Sequence, residues 1–196
     1  MRESFVFLAD GFEEVEALTV VDVLRRAGMP VKTVSISNCL SVAGAHGIQV
    51  NADVLFDSTL FADPAWLILP GGLPGADNLH EFAPLIGLLK RQAASKSGRI
   101  VAICASPGVV LGVEGMLAGR KATCYPGFEH LLNGASYQDE KVVCDDKFVL
   151  ANGPSSALLW ALAIVREELG AEKSDSVAAG MLFYPVSDDQ LDNIFG

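Results

Sequence analysis

Arg99-Ile100-Val101-Ala102-Ile103-Cys104-Ala105-Ser106-Pro107 runs an apolar strand straight into a helix start, and a cysteine stands at the turn. The run before Cys104 is mostly β-branched and of strand length, which reads as a fully buried strand. Ser106 reads as an N-cap and Pro107 as the first helical residue. Cys104 is therefore expected just ahead of free backbone N–H groups and the positive end of a helix dipole, where a thiolate is favoured. The alternative is a buried structural thiol, a common role for cysteine.

Working outward, apolar runs of strand length alternate with longer segments of helical period. Residues 5–9 read as the first strand, 14–27 as a helix closed by Gly28, and 31–37 as the second strand. Between residues 39 and 56 the pattern breaks into short pieces separated by Gly44 and Gly47, which predicts an antiparallel hairpin at a sheet edge. Residues 66–69 form a further strand and 82–95 a helix leading to the strand that delivers Cys104. Beyond it, residues 121–124, 142–144 and 147–151 read as strands, and 155–169 as a helix capped by Ser155 and stopped by Gly170. The predicted fold is α/β and doubly wound, a mostly parallel sheet with helices on both faces.

At 196 residues and 51% hydrophobic content, one domain over residues 1–196 is expected, its last ~12 residues a tail. The longest apolar runs fall far short of the ~18 residues a membrane span needs. The N-terminus enters a strand at once with no signal-peptide pattern, so a cytoplasmic, non-membrane protein is expected. Cys39, Cys104, Cys124 and Cys144 include no C-x-x-C pair, which argues against a zinc knuckle, any other metal centre or a disulfide framework. The net charge of −10, with 24 acidic against 14 basic residues, disfavours nucleic acid as a partner.

In an open α/β sheet, ligands bind beyond the carboxyl ends of the strands. That rule converges the Asp10-Gly11-Phe12-Glu13-Glu14-Val15-Glu16 run, the Pro70-Gly71-Gly72-Leu73-Pro74-Gly75 loop, Cys104 and Cys124-Tyr125-Pro126 on one crevice. Gly71 and Gly72 suit amides aimed at an oxyanion, or alternatively a turn that needs glycine for its backbone angles. Glu16, one turn into the first helix, can project back over the crevice, whereas Glu13 and Glu14 read as first-turn acids complementing the dipole. An ionised Glu16 would oppose a Cys104 thiolate, so the productive pair is a protonated Glu16 donating to sulfur, titrating jointly with it. On this reading the thiol falls about two pK units and Cys104 is mostly thiolate at neutral pH.

Five motifs in order carry a family resemblance: Leu8-Ala9-Asp10-Gly11-Phe12-Glu13-Glu14-Val15-Glu16, Asp22-Val23-Leu24-Arg25-Arg26-Ala27-Gly28, Leu69-Pro70-Gly71-Gly72, Ala102-Ile103-Cys104-Ala105 and Gly153-Pro154-Ser155. Over nearly its full length the chain resembles the ThiJ/PfpI superfamily, most closely the YajL-like branch that includes the human parkinsonism-associated protein. The resemblance implies a flavodoxin-like three-layer sandwich and a homodimer. It further implies an oxidation-prone nucleophile at Cys104, a hydrogen-bonding acid at Glu16, backbone donors at Gly71, Gly72 and Ala105, and Arg26 as an accessory residue.

One departure matters. Several relatives carry a histidine where this chain has Tyr125 in Thr123-Cys124-Tyr125-Pro126. Tyrosine is a poor general base near neutrality, which disfavours a PfpI-like peptidase. His46 in the hairpin is the reserve base; His80 and His130 read as surface or capping residues. A class I glutamine amidotransferase needs a late His-x-Glu, and no histidine follows His130. Cys124 reads as a small buried filler, or as a resolving thiol on a strand next to that of Cys104; Cys39 and Cys144 read as structural. Two functions remain. One is a cofactor-free glyoxalase or deglycase acting on small carbonyl substrates, 2-oxoaldehydes or their early adducts, through Cys104 and Glu16. The other is an oxidative-stress sensor or redox-regulated chaperone using a Cys104 sulfinate.

Overall fold

Side chains alternate along each central strand, and both faces are buried. Phe5, Phe7, Leu67, Leu69, Ile100 and Ala102 enter one apolar cluster, while Val6, Leu8, Trp66, Ile68, Val101 and Ile103 enter another on the opposite face. The computed structural model describes residues 1–183, so the expected tail lies outside the described residues. In chain order the elements are β1 (Ser4–Leu8), α1 (Glu14–Arg26), β2 (Val31–Ser35), β3 (Ser41–Ala43), β4 (Gln49–Asn51), β5 (Val54–Leu55) and β6 (Trp66–Leu69). Then follow α2 (Gly75–Glu81), α3 (Ala83–Ala94), β7 (Arg99–Ile103), β8 (Lys121–Ala122), β9 (Ser136–Tyr137), β10 (Val142–Asp145), β11 (Phe148–Ala151), α4 (Ala157–Leu169) and α5 (Ala171–Gly180).

The seven-stranded sheet runs β10-β11-β7-β6-β1-β2-β5, parallel except for β10 against β11. Residues of α1 and α4 cover one face, with Val20, Leu24, Trp160 and Ile164 at 0% exposure, and Leu79 of α2 with Leu85 and Leu89 of α3 cover the other. This is the expected flavodoxin-like three-layer sandwich. The predicted hairpin is β3 against β4 in a small sheet of its own. Among the described residues, no helix is long and apolar enough to cross a membrane.

Several local expectations are corrected. The segment expected as a strand at 121–124 is only two residues long and pairs with β9 outside the main sheet. The chain is diverted there because Thr123 Oγ1 donates to the Glu140 carbonyl at 3.0 Å and the Tyr125 N–H to the Cys104 carbonyl at 2.7 Å. Cys104 and Cys124 therefore do not end neighbouring strands; β7 lies between β6 and β11, and the two thiols belong to clusters on opposite faces. Helix α4 starts at Ala157 rather than 155, and Ser155 is not its cap but lies within a 3-10 turn over Pro154–Ser156; Ser156 takes the cap position and donates its Oγ to Asn152 Oδ1 instead. Cys39 and Cys144 are exposed free thiols rather than structural ones.

Candidate active site at the β7 elbow

Strand β7 ends by donating the Cys104 N–H to the Ala151 carbonyl at 2.9 Å, and Cys104 itself turns with φ 65°. A non-glycine residue in that region costs of order 1–3 kcal/mol and is held by its surroundings. The following chain enters a π-helical segment, Pro107–Gly112. Ser106 holds the expected N-cap position, but its side chain does not cap. Its own backbone is helical, and its hydroxyl donates to the Pro70 carbonyl at 2.5 Å, stapling the elbow to the glycine loop after β6.

Gly71 packs against the elbow. A Cβ there would sit 2.6 Å from Cys104 Cβ and 2.9 Å from Glu16 Oε2, so only glycine fits between thiol and acid. Its N–H donates to Glu16 Oε2 at 2.7 Å, which makes Gly71 the anchor of the acid rather than an oxyanion donor. The amides near enough to Cys104 to favour its thiolate are those of Gly72 and Ala105. Gly72 achieves this with φ 88° while packed on the Gly11 carbonyl.

Glu16 is fully buried in the first turn of α1, and its Oε1 has no hydrogen-bond partner among the described residues. The Cys104 thiol lies beside this carboxyl, across the gap that Gly71 leaves. Glu13 is the N-cap of α1, its Oε2 accepting from the Glu16 N–H at 2.7 Å. Glu14 accepts from the His46 N–H at 2.8 Å and pairs with His46 Nδ1 at 2.7 Å. Both first-turn acids therefore have structural partners of their own.

Burial pushes the Glu16 carboxyl up to about 7 against the pull of the Gly71 N–H, with Glu13 adding its repulsion. Burial, then the charge of Glu16, pushes the Cys104 thiol up to about 12 against the Gly72 and Ala105 amides. The expected low-pKa thiol is therefore corrected: desolvation and the acid outweigh the amides. A thiolate is available only in the form in which Glu16 holds the proton and donates it to sulfur. The pair carries one shared proton above neutrality and two below it.

The thiol opens into a cavity of about 240 Å³ lined by Gly72, Leu73, Cys104, Ala105, Tyr125 and Phe128. Tyr125 thus occupies the crevice as expected. His46 does not line this cavity; its side chain is 69% exposed and paired with Glu14. Arg26 lies in the last turn of α1, ten residues beyond Glu16 and so about 15 Å along the axis, paired with Asp22 at 2.7 Å. Cys124 is buried beneath the apolar cluster on the other face and lines no part of the cavity. Glu13, Glu14 and His46 place possible ligand atoms within 4.8 Å of one another, but Glu14 is already paired with His46 and Glu13 already accepts from the Glu16 N–H. Leu73 arrives with the glycine loop as expected, whereas Phe128 was not expected at the site. The signal for Phe128 is Pro126-Gly127, a turn signature that brings residue 128 back over Tyr125.

The model of the DJ-1/PfpI family matches residues 3–167. The chain is 36% identical over 191 residues to Protein DJ-1 homolog B of Arabidopsis thaliana, covering 96% of this chain and 43% of that protein, so it spans less than half of that relative. It is 34% identical over 166 residues to the glutathione-independent glyoxalase DJR-1.2 of Caenorhabditis elegans, covering 84% of this chain and 87% of that protein. Among solved structures, oxidized DJ-1 of Toxoplasma gondii superposes with a TM-score of 0.90 at 34% identity, covering 94% of this chain and 100% of that one. Sequence, fold and elbow geometry agree: the chain belongs to the DJ-1/PfpI family.

Proposed function

We propose that the chain converts 2-oxoaldehydes to 2-hydroxy acids without a cofactor, with Cys104 as nucleophile and Glu16 as proton shuttle. The observation that carries this reading is the Glu16 carboxyl, buried, with Oε1 lacking any hydrogen-bond partner among the described residues and standing next to the elbow thiol. Transfer of the thiol proton to Glu16 frees the sulfur to add to the aldehyde carbon, giving a hemithioacetal. Glu16 then moves the C1 proton to C2 through an enediol. This internal redox step leaves a thioester, C1 oxidised and C2 reduced, so no external oxidant is needed. Water releases the 2-hydroxy acid and returns the thiol. The amides of Gly72 and Ala105 stand beside the sulfur, where oxygen charge develops. A relative named as a glutathione-independent glyoxalase supports the reading. Early glycation adducts carry the same carbonyl chemistry and are a second substrate class. Lactate formation from methylglyoxal in Tris-free buffer is the test: wild type is active, while Cys104→Ser and Glu16→Gln fall by at least about 100-fold. Unchanged turnover in Cys104→Ser removes the mechanism.

A second reading is an oxidation sensor or redox-regulated chaperone. The same two amides and a protonated Glu16 offer three donors to a Cys104 sulfinate, and a structural neighbour is described as oxidized. Peroxide titration with mass spectrometry of each cysteine decides it. Cys104 gains two oxygens before Cys39, Cys124 or Cys144; reaction of the exposed Cys39 or Cys144 first overturns it.

We also propose a cytoplasmic homodimer. Val15 and Leu18, three residues apart on α1, are exposed, as are Ile48 and Leu159, and exposed apolar side chains of this kind are what second copies cover. Sedimentation of wild type and Val15→Glu tests it, with a dimer converted to a monomer as the expected result.

A further inference from the structure

The cavity above Cys104 is walled by side chains that the proposed chemistry does not use. Tyr125-Pro126-Gly127-Phe128 forms a turn in which the Phe128 N–H donates to the Tyr125 carbonyl at 3.1 Å, and Gly127 takes φ 95°. Proline at the second position and a positive-φ glycine at the third are the requirements of a type II turn, which brings its first and fourth residues together. The two rings meet nearly edge-on, 6.4 Å between centroids at 75°. The turn is tied to the elbow because the Tyr125 N–H donates to the Cys104 carbonyl at 2.7 Å.

Each ring is seated from behind. Gly153 leaves space for Tyr125, since a Cβ there would approach the ring at 3.3 Å. Phe128 packs with Leu131 on Ala76, Ala105 and Val109, and Gly108 leaves room for its backbone. Leu73, half exposed, faces them from the glycine loop. The result is a slot of about 240 Å³ whose walls, away from the sulfur, are apolar or aromatic.

We propose that this slot makes the chain selective for 2-oxoaldehydes bearing an aryl or branched alkyl group, with Phe128 as the residue that sets the preference over methylglyoxal. The inference rests on the reading of Cys104 as the nucleophile. A methyl group leaves the slot to water. A phenyl group displaces that water and meets the Tyr125 and Phe128 rings in the edge-to-face geometry they already hold toward each other. The wall is held in place before substrate arrives, so little ordering cost is charged to binding.

The test compares kcat/KM for phenylglyoxal, read as mandelate, with that for methylglyoxal, read as lactate. The proteins are wild type, Phe128→Ala, Phe128→Leu and Cys104→Ser. Because the two aldehydes differ in intrinsic reactivity, the decisive quantity is the change in the phenylglyoxal-to-methylglyoxal ratio between proteins. The ratio is expected to fall about tenfold in Phe128→Ala, about 1.4 kcal/mol of selectivity, on top of whatever loss the two aldehydes share. Phe128→Leu retains the apolar volume and should fold even if the smaller variant does not; its ratio is expected between the two. Cys104-dependent lactate formation with the same ratio in wild type and both Phe128 variants overturns the selectivity while leaving the enzyme reading standing. Consumption of neither aldehyde by wild type overturns both.

Discussion

The Gly71 N–H donates to Glu16 Oε2 at 2.7 Å, while the missing side chain of Gly71 leaves the gap through which Glu16 reaches Cys104. One glycine therefore orients the acid and makes room for it. In Gly71→Ala the added methyl would meet Cys104 Cβ at 2.6 Å and Glu16 Oε2 at 2.9 Å, between groups that are themselves buried. Overpacking of this kind costs about 1–3 kcal/mol, and displacing thiol and acid by ~1 Å is expected to lower turnover about 100-fold. Denaturant unfolding and lactate formation check both numbers; a variant with wild-type turnover contradicts the tight fit.

Alkylation of Cys104 reads the shared proton directly. With Glu16 pushed up to about 7 and the thiol to about 12, the one-proton form appears as pH rises through 7, and its thiolate tautomer reacts. The iodoacetamide rate at Cys104 is expected to climb through an inflection near 7 and then level off. Glu16→Gln removes the acceptor for the thiol proton, leaving a buried thiol above its ordinary value of 9.0. The inflection near neutrality is then lost. Its persistence in Glu16→Gln would place the titrating group elsewhere.

The same shift affects stability. Between pH 4.5 and about 7 the folded protein holds a proton on Glu16 that the unfolded chain has released. This stabilising contribution is complete below 4.5 and is lost as pH rises through the folded value, about 3 kcal/mol in all. Relative to wild type, Glu16→Gln should therefore gain about that much between pH 4.5 and 8, measured by urea unfolding. Parallel pH curves for the two proteins would refute it.

Arg26 supplies the contrast. Its guanidinium pairs with Asp22, four residues back on an exposed face, and lines no part of the cavity. An exposed helical pair contributes about 0.3–0.5 kcal/mol, so Arg26→Ala is expected to leave turnover within about twofold of wild type. A large loss would require a partner subunit to bring this side chain to a site.

Continuous apolar strands announce a parallel sheet because both faces are buried, and the alternation of Phe5 and Phe7 with Val6 and Leu8 is what the packing uses. The elbow was equally readable: an apolar run ending at Cys104 before Ser106-Pro107 admits few other geometries. Less readable was which polar group serves which neighbour. Ser106 suits a cap and does not cap, whereas Glu13, read as an acid complementing the dipole, does; the Ser106 hydroxyl finds Pro70, 36 residues away in sequence. Charge balance at Cys104 also escaped the sequence, since dipole and amides are local features whereas desolvation depends on elements that meet only after folding. Strand β8 failed for a related reason, its pairing being decided by contacts to Glu140 and Cys104 outside its own segment.

The Ser106 hydroxyl, fully buried and donating to the Pro70 carbonyl at 2.5 Å, gives the last prediction. It joins the turn after β7 to the end of the loop that carries Gly71 and Gly72, so it fixes the distance between the thiol and its amides. Ser106→Ala leaves a buried carbonyl without that donor, at a cost of about 1–3 kcal/mol. Removing the oxygen creates little void and no clash, so the protein should still fold, with lowered stability. If the bond only stabilises, kcat and KM stay unchanged in the folded variant. If it also positions the elbow, kcat falls by about tenfold while KM is retained. The second result is expected, because no other side-chain hydrogen bond of Ser106 competes for that role among the described residues. Ser106→Thr preserves the hydroxyl and should rescue kcat more than stability, as its extra methyl must enter a packed site. Equal kcat in Ser106→Ala and wild type would reduce the bond to a structural staple.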